Sequence, residues 1–455
     1  MTERPGPLNA GEAAHRGTGN ITLVDGTTFC ISAANGDIDG ASGPHGLFFQ
    51  DARVVSRWEL KLDGQHPQAL TVLNEVLHAR FVLRRPPLPG HADSTVLVVR
   101  DRLIGDGLRE KISLTNLGRE PTAMTVSIMV DADFADLFAV KEGRIVASVG
   151  VQASMTGADL LIHSAVLDSR GLRVSASVEP TVLVGGMSWE VIVPARGTWD
   201  VELVAEPLIG NEHFEPRFRG AEAIEEASSA WRDTNTVIEV DDPLTMAILR
   251  RTDHDLDALL ITDPVEAGRA FVAAGAPWFM TLFGRDSLLA AWMTLPMDTQ
   301  LAVGTLQTLA SMQGQHENPL TEEEPGRILH ELRRGPDSHL LGGTHYYGSV
   351  DSTPLFVMLL GECLRWGADE VYVRSLLPAA DAALAWITRY GDRDGDGFVE
   401  YQRATDRGLI NQGWKDSFDS IFHADGSLPF GPITLIEVQG FVYAASAVMA
   451  KLAMR

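Results

Sequence analysis

The chain has 455 residues, 45% of them hydrophobic and 22% charged, which is enough to bury a large core and more than one ordinary domain needs. Lys and Arg number 37 against 61 Asp and Glu, a formal net charge of -24 that repels phosphate backbones and anionic lipid headgroups and argues against a nucleic-acid or membrane partner. No apolar run approaches the roughly 18 residues of a membrane span. The two cysteines, Cys30 and Cys363, fall in what read as different domains, as reduced thiols and not as a disulfide framework.

Residues 1–19 are rich in Gly, Pro, Ala and polar side chains and lack the apolar core of a secretory signal, so a disordered tail on a cytoplasmic protein is expected. From Asn20 to Pro207 short β-branched runs such as ITLVDGTTFCIS, TVLVVRDRLIGDG and WEVIVPARG alternate with turn chemistry, which predicts an antiparallel β-sandwich domain over 20–219. Within Arg57 to Asp63, Trp58, Leu60 and Leu62 alternate with Glu59, Lys61 and Asp63, the period of a strand with one buried face. A charged stretch over 220–242 reads as the linker.

The texture turns helical over 243–455. Asp242 can cap a helix that Pro243 opens, and further helices are predicted at Asp286 to Leu295, Asp298 to Gln313, Thr353 to Trp366, Asp369 to Tyr390 with a break or kink at Pro378, and from Ile436 onward. Helices following one another in this way suit a toroid of helical hairpins. The long loops Gln315 to Ser352 and Gly391 to Thr434 exceed ordinary helix connections and are where function is expected. The last helix ends without a Gly or Pro stop, which suggests a toroid cut short, with apolar helix faces left bare and poor stability for the isolated chain.

Asn411 to Ser417, NQGWKDS, packs an amide pair, a glycine, an indole and a carboxyl group into one loop. A pyranose stacks on an indole while a nearby carboxyl protonates the glycosidic oxygen, so in an extended segment Trp414 and Asp416 on one side make Asp416 a candidate general acid. That role needs burial beside Trp414 and other carboxylates to keep it protonated. A surface Asp beside a core Trp is the ordinary alternative.

NQGWKDS lies between DRDGDGFVEY and EVQGFVYAA, and together with GRDS, GTHYYGSVDSTPLF and the preceding strands the chain resembles the bacterial amylo-α-1,6-glucosidase, or glycogen-debranching, family from about Asn20 onward. The resemblance implies an N-terminal β-domain and an (α/α)6 glycosidase barrel, of which only the N-terminal portion is seen. It also implies Asp416 as general acid in a Gly-Trp-x-Asp segment and an inverting mechanism. The base is then expected beyond Arg455, with Glu331, Asp351 and Glu437 as inferior stand-ins.

The resemblance implies substrate contacts at Arg285, Asp286, Glu331, Glu437 and Gln439, and the aromatic and polar chemistry of the loops adds Trp278, His345, Tyr347, Asp351, Trp414 and Lys415. Each has a plainer reading. Asp286 can cap its helix or bind sugar with Arg285 orienting it bidentately, and Trp278 can stack beside it. His330 and Glu331 in RILHELR can sit on a solvated helix face. Tyr346 and Tyr347 can pack beneath the loop while Asp351 or Ser352 caps a helix, and Glu437 can simply favour a helix start.

No cofactor is expected. Asp392, Asp394 and Asp396 open like a calcium loop, but Arg403 stands where an EF-hand needs its last Glu. That leaves a single structural calcium or a plain Asp-Gly turn. The leading reading is a hydrolase of α-1,6 branch points in glycogen-like glucan. The alternatives are a catalytically incomplete glucan-binding fragment and a hydrolase of another α-glycoside such as trehalose.

Overall fold

The computed structural model describes residues 19–454 apart from 42, 88–92, 145–149, 165–169, 184, 211, 214–217, 219–235, 264–265 and 267. The expected tail, save Gly19, and the linker over 220–235 lie outside the described residues.

An antiparallel β-sandwich fills the N-terminal region. A nine-stranded sheet runs in the order Val151–Thr156, Asp159–Ser164, Arg170–Ala176, Thr198–Ile209, Leu108–Asn116, Val96–Ile104, His78–Arg84, Gln68–Asn74, with Glu212–His213 paired to Thr198–Ile209. Facing it is a five-stranded sheet, Thr181–Leu183, Gly186–Val193, Thr122–Asp131, Arg57–Leu62, Ile38–Asp39. Trp58, Leu60 and Leu62 are buried as their alternation requires.

A four-stranded sheet, Ile21–Asp25, Thr28–Ser32, Gly46–Phe49, Ala52–Val55, completes the β-region. It is buried on both faces, so TFCIS lacks any polar alternation. Leu23, Cys30, Leu47 and Phe49 join the sandwich core, while Val24, Phe29, Ile31 and Phe48 pack with the helices. One sheet thus welds the two cores together.

The sandwich core also encloses charge. Glu110 receives Arg100 Nε at 2.9 Å and Arg102 Nη2 at 2.6 Å, Arg100 Nη1 reaches Asp37 at 2.6 Å, and Trp58 Nε1 donates to Glu110 at 3.2 Å. Burial alone would push the Glu110 carboxyl up, but the two guanidinium groups hold it below the usual carboxylate value.

Among the described residues the α-helices are α1 (Leu137–Lys141), α2 (Pro243–Leu259), α3 (Gly284–Met293), α4 (Thr299–Ser311), α5 (Ser352–Arg365), α6 (Glu370–Trp386) and α7 (Ile436–Leu452). From α2 onward they form a region rich in long helices, consistent with a partial α-helical toroid. Asp242, Asp298 and Asp369 cap α2, α4 and α6 by accepting first-turn backbone N–H groups. The break expected at Pro378 is absent: α6 runs through it and continues as a π-turn over Ile387–Gly391. Among the described residues, no helix is long and apolar enough to cross a membrane.

Candidate active site

Short pairings bring three distant segments together. Gly284 N donates to His330 O at 2.8 Å, Leu332 N to Leu282 O at 3.0 Å, and Glu331–Leu332 pairs antiparallel with His345–Tyr346. RILHELR is therefore loop and strand, not a solvated helix face, because its backbone is claimed by neighbours on both sides. Gly284 is required here: a Cβ would lie 2.0 Å from Leu329 O.

This arrangement starts α3 with Arg285 and Asp286 in its first turn. Asp286 does not cap, since the cap position belongs to Phe283. Nor does Arg285 hold Asp286 bidentately, its Nε standing 3.9 Å away, because adjacent helical residues point in different directions. Instead Arg285 Nη1 reaches Asp351 at 3.3 Å and Nη2 reaches Asp416 at 3.0 Å. One buried guanidinium thus gathers carboxylates from α3, the start of α5 and the NQGWKDS loop.

Asp351 occupies the cap position of α5 without capping it. Its side chain turns to Arg285 and accepts from Ser349 Oγ at 2.7 Å. Burial pushes Asp351 up against the pull of Arg285, and raises Asp286 in the same way. Burial also works against the Arg285 charge, but Asp351, Asp286 and Asp416 more than restore it. Glu331 is buried, paired with Arg333 at 3.0 Å, and raised by burial with Asp51 and Asp416 adding to it. His330 lies edge-on between Phe283 and Tyr346, its imidazole held neutral well below the usual value by burial and then by Arg285, Arg333 and Arg327.

The loop bearing Asp416 hangs on two buried amides. Asn411 Nδ2 donates to Ser417 O at 2.7 Å while its Oδ1 accepts from Tyr401. Gln412 accepts from Arg327 at 2.8 Å and donates to Glu322 at 2.5 Å. Beyond them the segment is irregular and open, not extended. Asp416's side chain is 42% exposed and Trp414 is 58% exposed, so the expected burial of the acid beside the indole is not found. Lys415 Nζ lies 5.1 Å over the Trp414 ring.

The other residues expected at the site are dispersed. Tyr347 is a core residue whose hydroxyl donates to Met312 O at 2.8 Å, because the segment turns it inward beneath the loop. Trp278 packs edge-on to Phe48 at 6.1 Å. His345 Nδ1 meets Thr344 Oγ1 at 2.9 Å beside Leu332. Gln439 spends its amide on the Val399 N–H and C=O, at 2.9 and 2.7 Å. Glu437 lies on the first turn of α7, where its charge is felt at Tyr401.

Two neighbours, Phe138 and Lys141, carry no signal in the sequence. Arg333 lies over Phe138 at 4.3 Å and Phe283 at 5.1 Å, and Lys141 Nζ lies 4.6 Å over Phe279. Phe138 and Lys141 belong to α1 of the β-region, and only the tertiary fold brings them here. The amides of Asn411 and Gln412 are legible as part of NQGWKDS.

Farther along, Asp392, Asp394, Asp396 and Glu400 place one carboxylate oxygen each within 4.8 Å of one another. This hard oxygen set could hold a divalent cation such as calcium. The sequence reading lacked Glu400, which sits short of the last position of an EF-hand loop.

Comparison with known proteins agrees with these two halves. Residues 23–204, less than half of the chain, match the family profile for the N-terminal domain of (some) glycogen debranching enzymes. No curated protein matches. Among solved structures, a putative kojibiose phosphorylase from human microbiome superposes with a TM-score of 0.54 at 9% identity, over 84% of this chain and 58% of that one. A polysaccharide lyase covers 94% of this chain and 67% of its own at 9% identity, with a TM-score of 0.25 that informs nothing further. The chain therefore has an N-terminal domain related to the glycogen-debranching family, and at such identity the likeness to the phosphorylase concerns the fold alone. It spans 58% of the length of that phosphorylase chain.

Proposed function

We propose that the chain belongs to a glycoside hydrolase acting on α-1,6-glucosidic branch points of glycogen-like glucan, with Asp416 as general acid and water as nucleophile. The observation that carries this reading is the convergence of Asp416, Asp351 and Asp286 on Arg285 behind an exposed indole, Trp414. Such a cluster offers a sugar both a stacking face and carboxylates to bind its hydroxyls. Asp416 meets Arg285 through Oδ2, which leaves Oδ1 as the oxygen that would face a glycosidic bond.

We assign the base to none of the three stand-ins. Asp351, 1% exposed and held by Arg285 and Ser349, has no room for an activated water, and Glu331 is buried against Arg333. Glu437 lies on the first turn of α7, where Tyr401 feels its charge together with that of Asp351, and among the described residues it makes no ion pair with Arg285. This favours a second reading, in which these residues bind glucan and the hydrolytic step needs a carboxylate from elsewhere.

Glucose release from a branched limit dextrin and from trehalose, measured beside glucan binding, separates the readings. Hydrolysis of dextrin that Asp416→Asn lowers by at least about a hundredfold supports debranching. Binding without release selects the second reading, trehalose hydrolysis alone selects another α-glycoside, and neither binding nor release overturns both.

A further inference from the structure

The helix α1 leaves the β-region and ends over Phe279, where Lys141 feels the charge of Asp416. Its position is fixed by backbone contacts on both sides: Leu137 N donates to Asp51 O at 2.9 Å, Arg334 N to Asp51 Oδ2 at 2.9 Å, and Asp337 N to Asp136 Oδ2 at 3.1 Å. Arg333 reinforces the joint, lying over Phe138 of α1 and Phe283 at the start of α3, with Asp51 3.6 Å from its Nη1. Phe283 in turn meets Phe279 edge-on at 5.7 Å. Lys141 at the end of α1 therefore stands over Phe279 on a rigid path of contacts that begins at the helix carrying Arg285 and Asp286.

Lys141 is exposed, and among the described residues no carboxylate lies within 4.0 Å of its ammonium, although its charge is felt by Asp416 and Glu331. On the other side of Asp416 the cluster is closed, with Arg285 and Asp351 buried. In the glucan reading the terminal glucose sits at the exposed Asp416, and the rest of a glucan extends past the open side, where a three-donor ammonium and a phenyl face stand together. We propose that Lys141, supplied by the N-terminal β-region, is a recognition residue for the glucose unit beyond the scissile bond, so that this region forms one wall of the substrate cleft.

The inference rests on the glucan reading, and calorimetric binding of glucose and of maltotriose to the full chain tests the two separately. Wild type is expected to bind maltotriose about tenfold more tightly than glucose. Lys141→Met, which keeps the stem but not the donors, should reduce that gain to about twofold with glucose affinity unchanged, and Lys141→Arg should restore most of it. An undiminished gain in Lys141→Met overturns the proposal while leaving the glucan reading intact. No binding of either sugar by wild type overturns the reading and the proposal with it.

Discussion

Arg285 holds Asp351 and Asp416 with separate nitrogens while its own side chain is only 8% exposed. Removing it strands Asp351 as a buried charge, so Arg285→Ala should destabilise the chain by roughly 3–5 kcal/mol in urea unfolding. A loss below about 1 kcal/mol would mean that the cluster relaxes freely. His330 gives a pH signature. Its imidazole titrates well below the ordinary 6.5 in the folded chain, so the unfolded chain binds the proton first. The stability it contributes is fully present above pH 6.5 and is lost as pH falls below it. Replacing it by Phe should flatten the stability profile in that window, and an unchanged slope would assign the effect to other groups. At this scale the sequence showed which residues were chemically rich but not whom they would meet. Arg285 and Asp286 are neighbours in the chain, yet Arg285 spends its fork on residues 66 and 131 positions away.

Helices and their caps were more legible, because capping is local. Asp242, Asp298 and Asp369 each stand directly before the helix they cap. Asp351 has an equally suitable position but is drawn off by Arg285, a tertiary contact that overrides the local preference, whereas Asp286 lies inside the first turn of α3 because the helix starts earlier than its cap reading requires. Pro378 reads as a break or kink within a helix, and α6 continues through it without a break, buried along Val373, Leu376, Ala380 and Ala383. Two glycines set the element spacing. A methyl on Gly284 would collide with the Leu329 carbonyl, and one on Gly361 would meet Val448 Cγ2 at 2.5 Å where α5 and α7 cross. Gly361→Ala should cost about 1–3 kcal/mol by prying these helices apart. Gly284→Ala should cost at least as much and also weaken glucan binding, since it displaces the start of α3. Equal effects of both substitutions on binding would show that Gly284 has no special place at the site.

Across the whole molecule, the β-sandwich and the helical class could be read from periodicity, whereas the way they join could not. The joint is a sheet buried on both faces together with Asp51, Asp136 and α1, and none of these has a sequence signature. Asp51→Ala removes the acceptor for Arg334 N and a partner of Arg333, and calorimetry should then resolve two unfolding transitions where the intact chain shows one. Leu244 and Ile248 on α2 and Tyr443 on α7 are apolar side chains left 69%, 56% and 77% exposed. The acidic loop adds a second global lever. Calcium should raise the Tm, a chelator should reverse the gain, and Asp394→Asn should abolish it. No calcium response in the wild type would leave the four carboxylates as a turn.

The charged network inside the sandwich bears on how the chain reaches this fold at all. Glu110 pairs in register with Arg102 across two long, β-branched strands that could otherwise slide past one another. A slip of one residue would turn Glu110 outward and strip Arg100 and Arg102 of the carboxylate they share, leaving Arg102 with no acid in its place, an error far more costly than a shifted Val or Leu. The network therefore penalises the misalignments that would turn Glu110 away from both arginines, a cost that apolar side chains alone would not impose.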